Sequence, residues 1–316
     1  MLAAYTNSSF SLADKWTLNA GLTSQLFTLN NCYTIEPRAG IKWQFSPNQS
    51  IGLAYGMHSR LEMLNYYFTK TQAGEEINKN LDFTRAHHLV LSYNRNIGDN
   101  YNLKIEPYVQ KLYDVPVVAD SSLSFINLQG DWFITDKLVN EGEGLNYGVD
   151  VTFEKYMSQG YYYMFTASLF NAKYKGGDNV WYNSRYNRNY VLNALAGKEW
   201  MMGRNQQNIL SANIRLTYQG GDRYSPVNET LSNIQEDVVY DDNKAFSKQL
   251  PAAFIAHTSI SYKINKHNKS HEFALKVINL TGYKDFYGHR YNFFTHRVDA
   301  NNESIIIPNI SYKIEF

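Results

Sequence analysis

The chain has a single cysteine, Cys32, among 316 residues, and only seven prolines. One thiol excludes an internal disulfide framework and a cysteine-based metal site. Placed beside an Asn-Asn pair, Cys32 reads as an incidental residue of a polar turn. Charge of one sign is lacking too. Thirty Lys and Arg stand against 29 Asp and Glu, a net +1, so nothing points to nucleic acid or an acidic partner. No window approaches about 18 consecutive apolar residues, which excludes a membrane-spanning helix. The mean hydropathy of −0.45 is that of a soluble chain, but a wall of strands that is apolar only on alternate residues has the same mean. The opening MLAAYTNSSFSLADKW has no basic stretch followed by an apolar core and is no signal peptide. If the protein is exported, its start is expected to lie upstream of Met1. There is no Gly-x-Ser-x-Gly, glycine-rich phosphate loop or His-Glu-x-x-His, so neither an enzyme nor a cofactor is expected.

What the chain has is aromatic residues: 26 Tyr, 17 Phe and 5 Trp. Tyrosine with abundant Asn suits half-buried strands joined by polar turns. Strict alternation recurs over residues 15–28, 34–45, 50–64, 102–110, 146–154, 160–170, 208–219, 253–264 and 271–279, more weakly at 1–12, 83–97 and 189–202, and again from Ile310 to the end. Period two predicts strands with one apolar and one polar face. Runs of roughly 11–15 residues exceed the 5–6 typical of soluble sheets and reach the 9–11 that a tilted bilayer-spanning strand needs. Short connectors (13–14, 46–49, 98–100, 157–160, 203–207, 265–269) alternate with long ones (66–82, 115–144, 175–188, 225–252, 283–303). Only the connector at Asn30-Asn31 is short where a long one is due. Tight turns at one end and long loops at the other predict an all-β, antiparallel transmembrane barrel of about 12–13 strands, with its short turns in the periplasm and its long loops outside the cell. Arg38, Lys42, Lys104, Glu106, Arg215 and Lys276 then line a polar lumen.

The closing stretch, NLTGYKDFYGHRYNFFTHRVDANNESIIIPNISYKIEF, resembles the end of TonB-dependent receptor barrels of Bacteroidetes-type bacteria. The likeness lies in Asn279-Leu280-Thr281, the tyrosine-rich loop, the apolar run with proline and a last strand ending on Phe316. The stretch EPRAGIKWQFSPNQSIGLAYGMHSR (36–60) is similar to a hairpin of that family. The resemblance implies an outer-membrane location and energised uptake of a scarce nutrient: an iron chelate, haem, cobalamin or a glycan. It also implies that the whole chain, residues 1–316, is the C-terminal part of a barrel without its signal peptide, TonB box and plug domain, and is inactive alone. Implied partners are outer-membrane lipid, TonB only through the missing plug, a SusD-like surface lipoprotein, and the barrel assembly machinery through Ile310, Tyr312, Ile314 and Phe316.

Candidate ligand-binding residues lie on the long loops, where function sits on a rigid scaffold. Aromatic faces stack on sugars or flat chelates, and arginine pairs with anions. The last loop offers Tyr283, Phe286, Tyr287, His289, Arg290, Tyr291, Phe293, Phe294, His296 and Arg297; the loop near 181–190 offers Trp181 and Arg185. The same aromatics also suit self-packing of the loop or an interface girdle. The acidic run 236–242 reads as a solvated loop tip, and the adjacent His87 and His88 must point to opposite faces of their strand. A passive porin and a surface glycan-binding sheet are the alternatives.

Overall fold

The computed structural model describes residues 1–128 and 134–316. In chain order its strands are β1 (Leu2–Ala13), β2 (Trp16–Phe27), β3 (Cys32–Ser46), β4 (Gln49–Arg60), β5 (Thr84–Ile97), β6 (Tyr101–Val118), β7 (Leu138–Ser158), β8 (Tyr161–Lys175), β9 (Trp181–Asn183), β10 (Tyr190–Met202), β11 (Asn208–Gln219), β12 (Arg223–Tyr224), β13 (Lys248–Gln249), β14 (Ala253–Asn265), β15 (Ser270–Ile278), β16 (Asp285–Asn292), β17 (Arg297–Glu303) and β18 (Ile307–Glu315). Two short helices, α1 (Leu64–Tyr67) and α2 (Glu229–Gln235), lie in the long loops. Thirteen strands form one antiparallel meander in the order β1-β2-β3-β4-β5-β6-β7-β8-β10-β11-β14-β15-β18, with β9 added beside β8. The weaker alternations at 1–12, 83–97 and 189–202 are all strands of this sheet.

The sheet is open. β1 pairs with β2 and β18 with β15, and neither outer edge is paired among the described residues. Thirteen antiparallel strands leave β1 and β18 running in the same direction.

Each strand presents an apolar outer face and a polar inner one. Outward-pointing Leu53, Leu91, Phe165, Leu192, Ile214 and Ile260 are exposed, Leu91 by 45%. The inner face is bonded sideways across strands. Gln110 Nε2 lies 2.7 Å from His88 Nε2, and Asn146 donates to Gln110 Oε1 at 2.7 Å. Tyr162 donates to Asn213 Oδ1 at 2.8 Å, and Lys104 pairs with Glu106 at 2.8 Å. His87 points the other way, between the rings of Tyr55 and Tyr113. A water-soluble sheet would place the inner, not the outer, side chains in water; here the greasy face is the uncovered one, which suits lipid.

Aromatics gather near both ends of the strands. Trp16 stacks on Trp43 at 5.3 Å by the tight turns, with Tyr101 beside Phe153 at 6.2 Å. Tyr55, Tyr113 and the Tyr190–Tyr218 pair mark the other end. Tyr101 and Tyr113 bound the outer face of β6. Their separation is about 40 Å along the strand, or roughly 28 Å along the normal at a tilt of about 45°, which matches a hydrocarbon core. Pro107 sits mid-strand in β6, and the β5–β6 register skips the positions opposite it. The missing N–H is absorbed there at one weak rung.

β6 and β7 run beyond the alternating stretches 102–110 and 146–154 because loops cover both of their faces at the outer end, where alternation is no longer required. That end has its own core of Phe27, Tyr66, Tyr67, Leu81, Phe83, Val115, Phe125 and Leu138, with Tyr67 fully buried. Cys32 packs against this core rather than standing in an incidental polar turn. The anomalously short Asn30 turn is explained by the same packing: Asn30 Nδ2 donates to the carbonyls of Lys79 (3.1 Å) and Leu81 (2.8 Å), tucking the turn beneath loop 61–83.

Candidate functional site

The long loops interlock into a layer above the sheet. Ser122 binds the Asp242 carboxylate through its backbone N–H at 3.2 Å and through its hydroxyl. Arg185 N donates to Asn127 Oδ1 at 2.9 Å. Asp241 pairs with Lys244 at 3.0 Å. The acidic run 236–242 is therefore partly loop-to-loop mortar, not only a solvated tip, and no group of metal-ligating side chains is found among the described residues.

Within this layer, β16 and β17 form a hairpin whose inward side chains meet the loop between β11 and β14. His289 is the hub. Its ring lies 5.5 Å from Tyr224, 5.1 Å from Phe286 and 5.7 Å from Tyr240, and its Nδ1 is 3.2 Å from the Tyr240 hydroxyl. Tyr224 also meets Phe286 at 5.7 Å. Burial pushes the His289 imidazole below its ordinary 6.5 and raises the Tyr240 phenol, while the nearby Arg185 charge opposes the latter shift.

Three arginines lie on the neighbouring loop segments, and they differ. Arg188 grips Asp222 through both carboxylate oxygens, at 2.5 and 2.9 Å. Arg223 donates to the Asn187 carbonyl at 3.0 Å and to Asn189 Oδ1 at 3.1 Å, and burial lowers its pKa. Neither Arg223 nor Arg185 has a carboxylate partner among the described residues. An aromatic cluster that feels the Arg185 charge at Tyr240 suits a flat or ring-bearing anion.

Backbone approach fixes the geometry. A Cβ on Gly220 would lie 1.8 Å from Arg188 O, and one on Gly221 would lie 2.1 Å from Leu250 O. Only glycine admits these contacts, which bring Tyr224 under the hairpin. The Asn279-Leu280-Thr281 run anchors the other side. Asn279 adopts a left-handed φ of 54° and ends β15. Its side chain bonds Tyr283 N and O (both 2.9 Å) and Ile305 O (3.2 Å), while Thr281 donates to Phe254 O at 3.1 Å.

The structure divides the residues expected to bind ligand. His289 and the half-buried Tyr283 and Arg185 lie at or beside the cluster, whereas Tyr291 is buried in the hairpin against Phe293. Tyr287, Arg290, His296 and Arg297 point to solvent on the hairpin's outer side or tip, where Phe294 is fully exposed. Trp181 opens β9, exposed, and makes no ring contact with the His289 group among the described residues. Sequence reasoning missed Tyr224 and Tyr240. They lie far from the tyrosine-rich loop in sequence, and the Gly220-Gly221 pair was the available signal that two backbones cross there.

No family model and no curated protein matches the chain. Solved structures do. The ferric-catecholate import receptor Fiu from K12 E. coli superposes with a TM-score of 0.64 at 12% identity, over 99% of this chain and 44% of that one. The chain has the fold of an outer-membrane receptor barrel wall. BauA, the ferric preacinetobactin receptor from Acinetobacter baumannii, gives 0.66 at 13% identity, over 99% and 42%. FyuA, the ferric yersiniabactin uptake receptor from Yersinia pestis, gives 0.65 at 10% identity, over 99% and 45%. This receptor-fold chain thus spans less than half the length of the structures it resembles. The all-β antiparallel architecture expected from the alternation is the one observed.

Proposed function

We propose that this chain is the C-terminal wall of a TonB-dependent receptor in the outer membrane of a Gram-negative bacterium, importing a scarce nutrient held first by its outer loops. The observation that carries this reading is the loop cluster itself: His289, Tyr224, Phe286 and Tyr240, with the Arg185 charge close to Tyr240, mounted on a bilayer-length sheet. An arginine without a carboxylate partner, whose charge is felt at the Tyr240 phenol, favours an anionic metal chelate over an uncharged glycan.

The open sheet supports the partial-barrel reading. Because β1 and β18 run the same way, antiparallel closure needs an odd number of further strands. Nine would complete the 22 of outer-membrane transporters. TonB would act on a plug outside this chain, so the wall alone is inactive in transport. Ile310, Tyr312, Ile314 and Phe316 share the outer face of the last strand and would carry the signal for the assembly machinery. A SusD-like lipoprotein would sit over the loop layer.

The test is nutrient uptake by cells carrying the complete gene with Arg185→Ala, His289→Ala or Tyr240→Phe. A candidate ferric chelate should bind at least about tenfold more weakly to the Arg185→Ala receptor, the scale expected for a charge-assisted contact. Unchanged binding and uptake of every chelate that the parent strain imports would overturn the assignment of this cluster.

A further inference from the structure

A second feature lies on the polar, luminal face of the sheet, inside the wall rather than in the loop layer. A hollow of about 280 Å³ has Leu195, Asn213, Arg215, His257, Ser259 and Lys276 among its lining and no carboxylate. Arg215 and His257 are a direct pair in register, and Lys276 pairs with Ser259 one luminal row toward the tight turns. Arg215 stands four residues before Gln219, the outer end of β11. That is about 13 Å along the strand, so the hollow is separate from the His289 cluster above it.

Its donors have no partner. The Arg215 and Lys276 side chains make no ion pair or hydrogen bond among the described residues, although both lie close enough to His257 for their charges to act on its ring. His257 Nδ1 accepts from the Asn279 N–H at 3.2 Å. That bond leaves the ring proton on Nε2, a further donor with nothing to bind. The luminal carboxylates nearest in register, Glu199 on β10 and Glu272 on β15, lie further toward the tight turns, beside Ser211 and opposite Lys263. Elsewhere on this face Arg38 pairs with Glu36 at 3.0 Å, Lys104 with Glu106 at 2.8 Å and Lys263 with Glu315 at 2.9 Å. Lys42 also lacks a partner but has no second cation in register. Two like charges set around one hollow repel unless an anion comes between them.

Resting on the uptake reading, we propose that Arg215, Lys276 and His257 form a second binding station on the luminal wall, one that takes a carboxylate arm of a small anionic solute after it leaves the loop cluster. A carboxylate offers about four acceptor positions on its two oxygens. The forked edge of Arg215 supplies two donors, and Lys276 and His257 Nε2 supply one each. The Arg215 fork takes the carboxylate side-on, the geometry that guanidinium and carboxylate share. The hollow falls just below the roughly 300–1,000 Å³ of sites that enclose a whole small molecule. It therefore holds one arm and leaves the rest of the solute in the lumen. Asn279 is a positioning residue here, since its backbone N–H sets the His257 tautomer.

The experiment uses the complete receptor purified in detergent and carrying Arg185→Ala, which removes the Arg185 charge from the loop cluster. Binding of radiolabelled citrate is read by equilibrium dialysis at fixed ionic strength. Trimethyl citrate, which has no carboxylate, and inorganic phosphate are read by displacement. One citrate should bind, and both comparison probes should bind at least about tenfold more weakly. Adding Arg215→Gln or Lys276→Gln should weaken citrate roughly tenfold or more, the scale of a charge-assisted contact. Arg215→Lys should not restore it, because an ammonium lacks the fork. Neither side chain bonds within the chain, so both Gln variants should keep the thermal midpoint of the background protein, which separates lost binding from misfolding. Equal citrate binding by the background and Arg215→Gln receptors, or phosphate bound as tightly as citrate, would sink the proposal. No citrate bound by the background, with a lower thermal midpoint in Arg215→Gln, would mean that a carboxylate of the receptor itself fills the hollow, which also overturns it. Because binding is read without transport and without the Arg185 charge, its failure is distinct from any failure of the uptake reading.

Discussion

The Tyr240 hydroxyl lies 3.2 Å from His289 Nδ1, joining the loop after β11 to the hairpin before β18 across 49 residues of sequence. This contact closes the aromatic cluster, and it is sensitive to protons. Burial lowers the His289 pKa from 6.5. A histidine whose folded pKa is depressed contributes its full stability above the unfolded value. That stability is lost as pH falls below about 6.5, because the unfolded loop takes up the proton first. NMR titration of His289 should give a pKa below 6.5, and protease cleavage of the hairpin should accelerate on moving from about pH 7.5 to about pH 5.5. A pKa at or above 6.5 would contradict the buried placement.

Asn279 provides a stability test. Its side chain makes four bonds and its backbone holds a left-handed φ. Asn279→Ala should cost about 4–5 kcal/mol, from bonds worth at most about 1 kcal/mol each plus about 1–2 kcal/mol of strain of alanine in that conformation. Asn279→Gly should cost less, since glycine relieves the strain while losing the same bonds. Equilibrium unfolding in detergent should rank the two in that order.

Gly220 tests the backbone crossing. Alanine there places a methyl 1.8 Å from Arg188 O, so the segments carrying Arg188 and Tyr224 must separate. If the proposed cluster binds ligand, Gly220→Ala should weaken that binding by the same factor as a direct loss of Tyr224, without changing the amount of barrel in the membrane. Asp222→Asn, which frees Arg188, should weaken the same crossing less.

These sites show what was legible in the sequence. The sheet was readable because bilayer geometry forces period-two alternation on every strand, and Trp16, Leu18, Ala20 and Leu22 already display it. The ends of β6 and β7 were not, because Val115, Val117 and Leu138 are buried beneath loops that erase the alternation. The candidate cluster was half readable. His289 stood out in an aromatic loop, but its partners Tyr224 and Tyr240 reach it only through tertiary folding, and the equally aromatic Tyr291 turned inward. Local composition names residue types, whereas the side of the hairpin on which each one lies depends on the bulge at Gly288 between Phe286 and His289.

The two faces of the sheet predict opposite tolerances. Leu91 faces outward, mid-sheet and opposite Pro107. Leu91→Arg should destabilise the folded barrel by about 2–4 kcal/mol, the midplane cost of arginine. Lys104→Gln, on the inner face, should change stability by less than about 1 kcal/mol, since its pair with Glu106 is solvent-screened. Unfolding of both variants in lipid vesicles measures the difference.

The central claim is that the uncovered apolar face of this thirteen-strand sheet meets lipid while its polar face meets a water-filled lumen. Spin labels placed singly along β5 at residues 88 to 92, in the Cys32→Ser background and in intact outer membranes, test it most directly. Labels at 89 and 91 should be accessible to dissolved oxygen and shielded from a water-soluble nickel complex, and labels at 88, 90 and 92 should show the reverse. Equal access of the nickel complex to both sets would contradict the account.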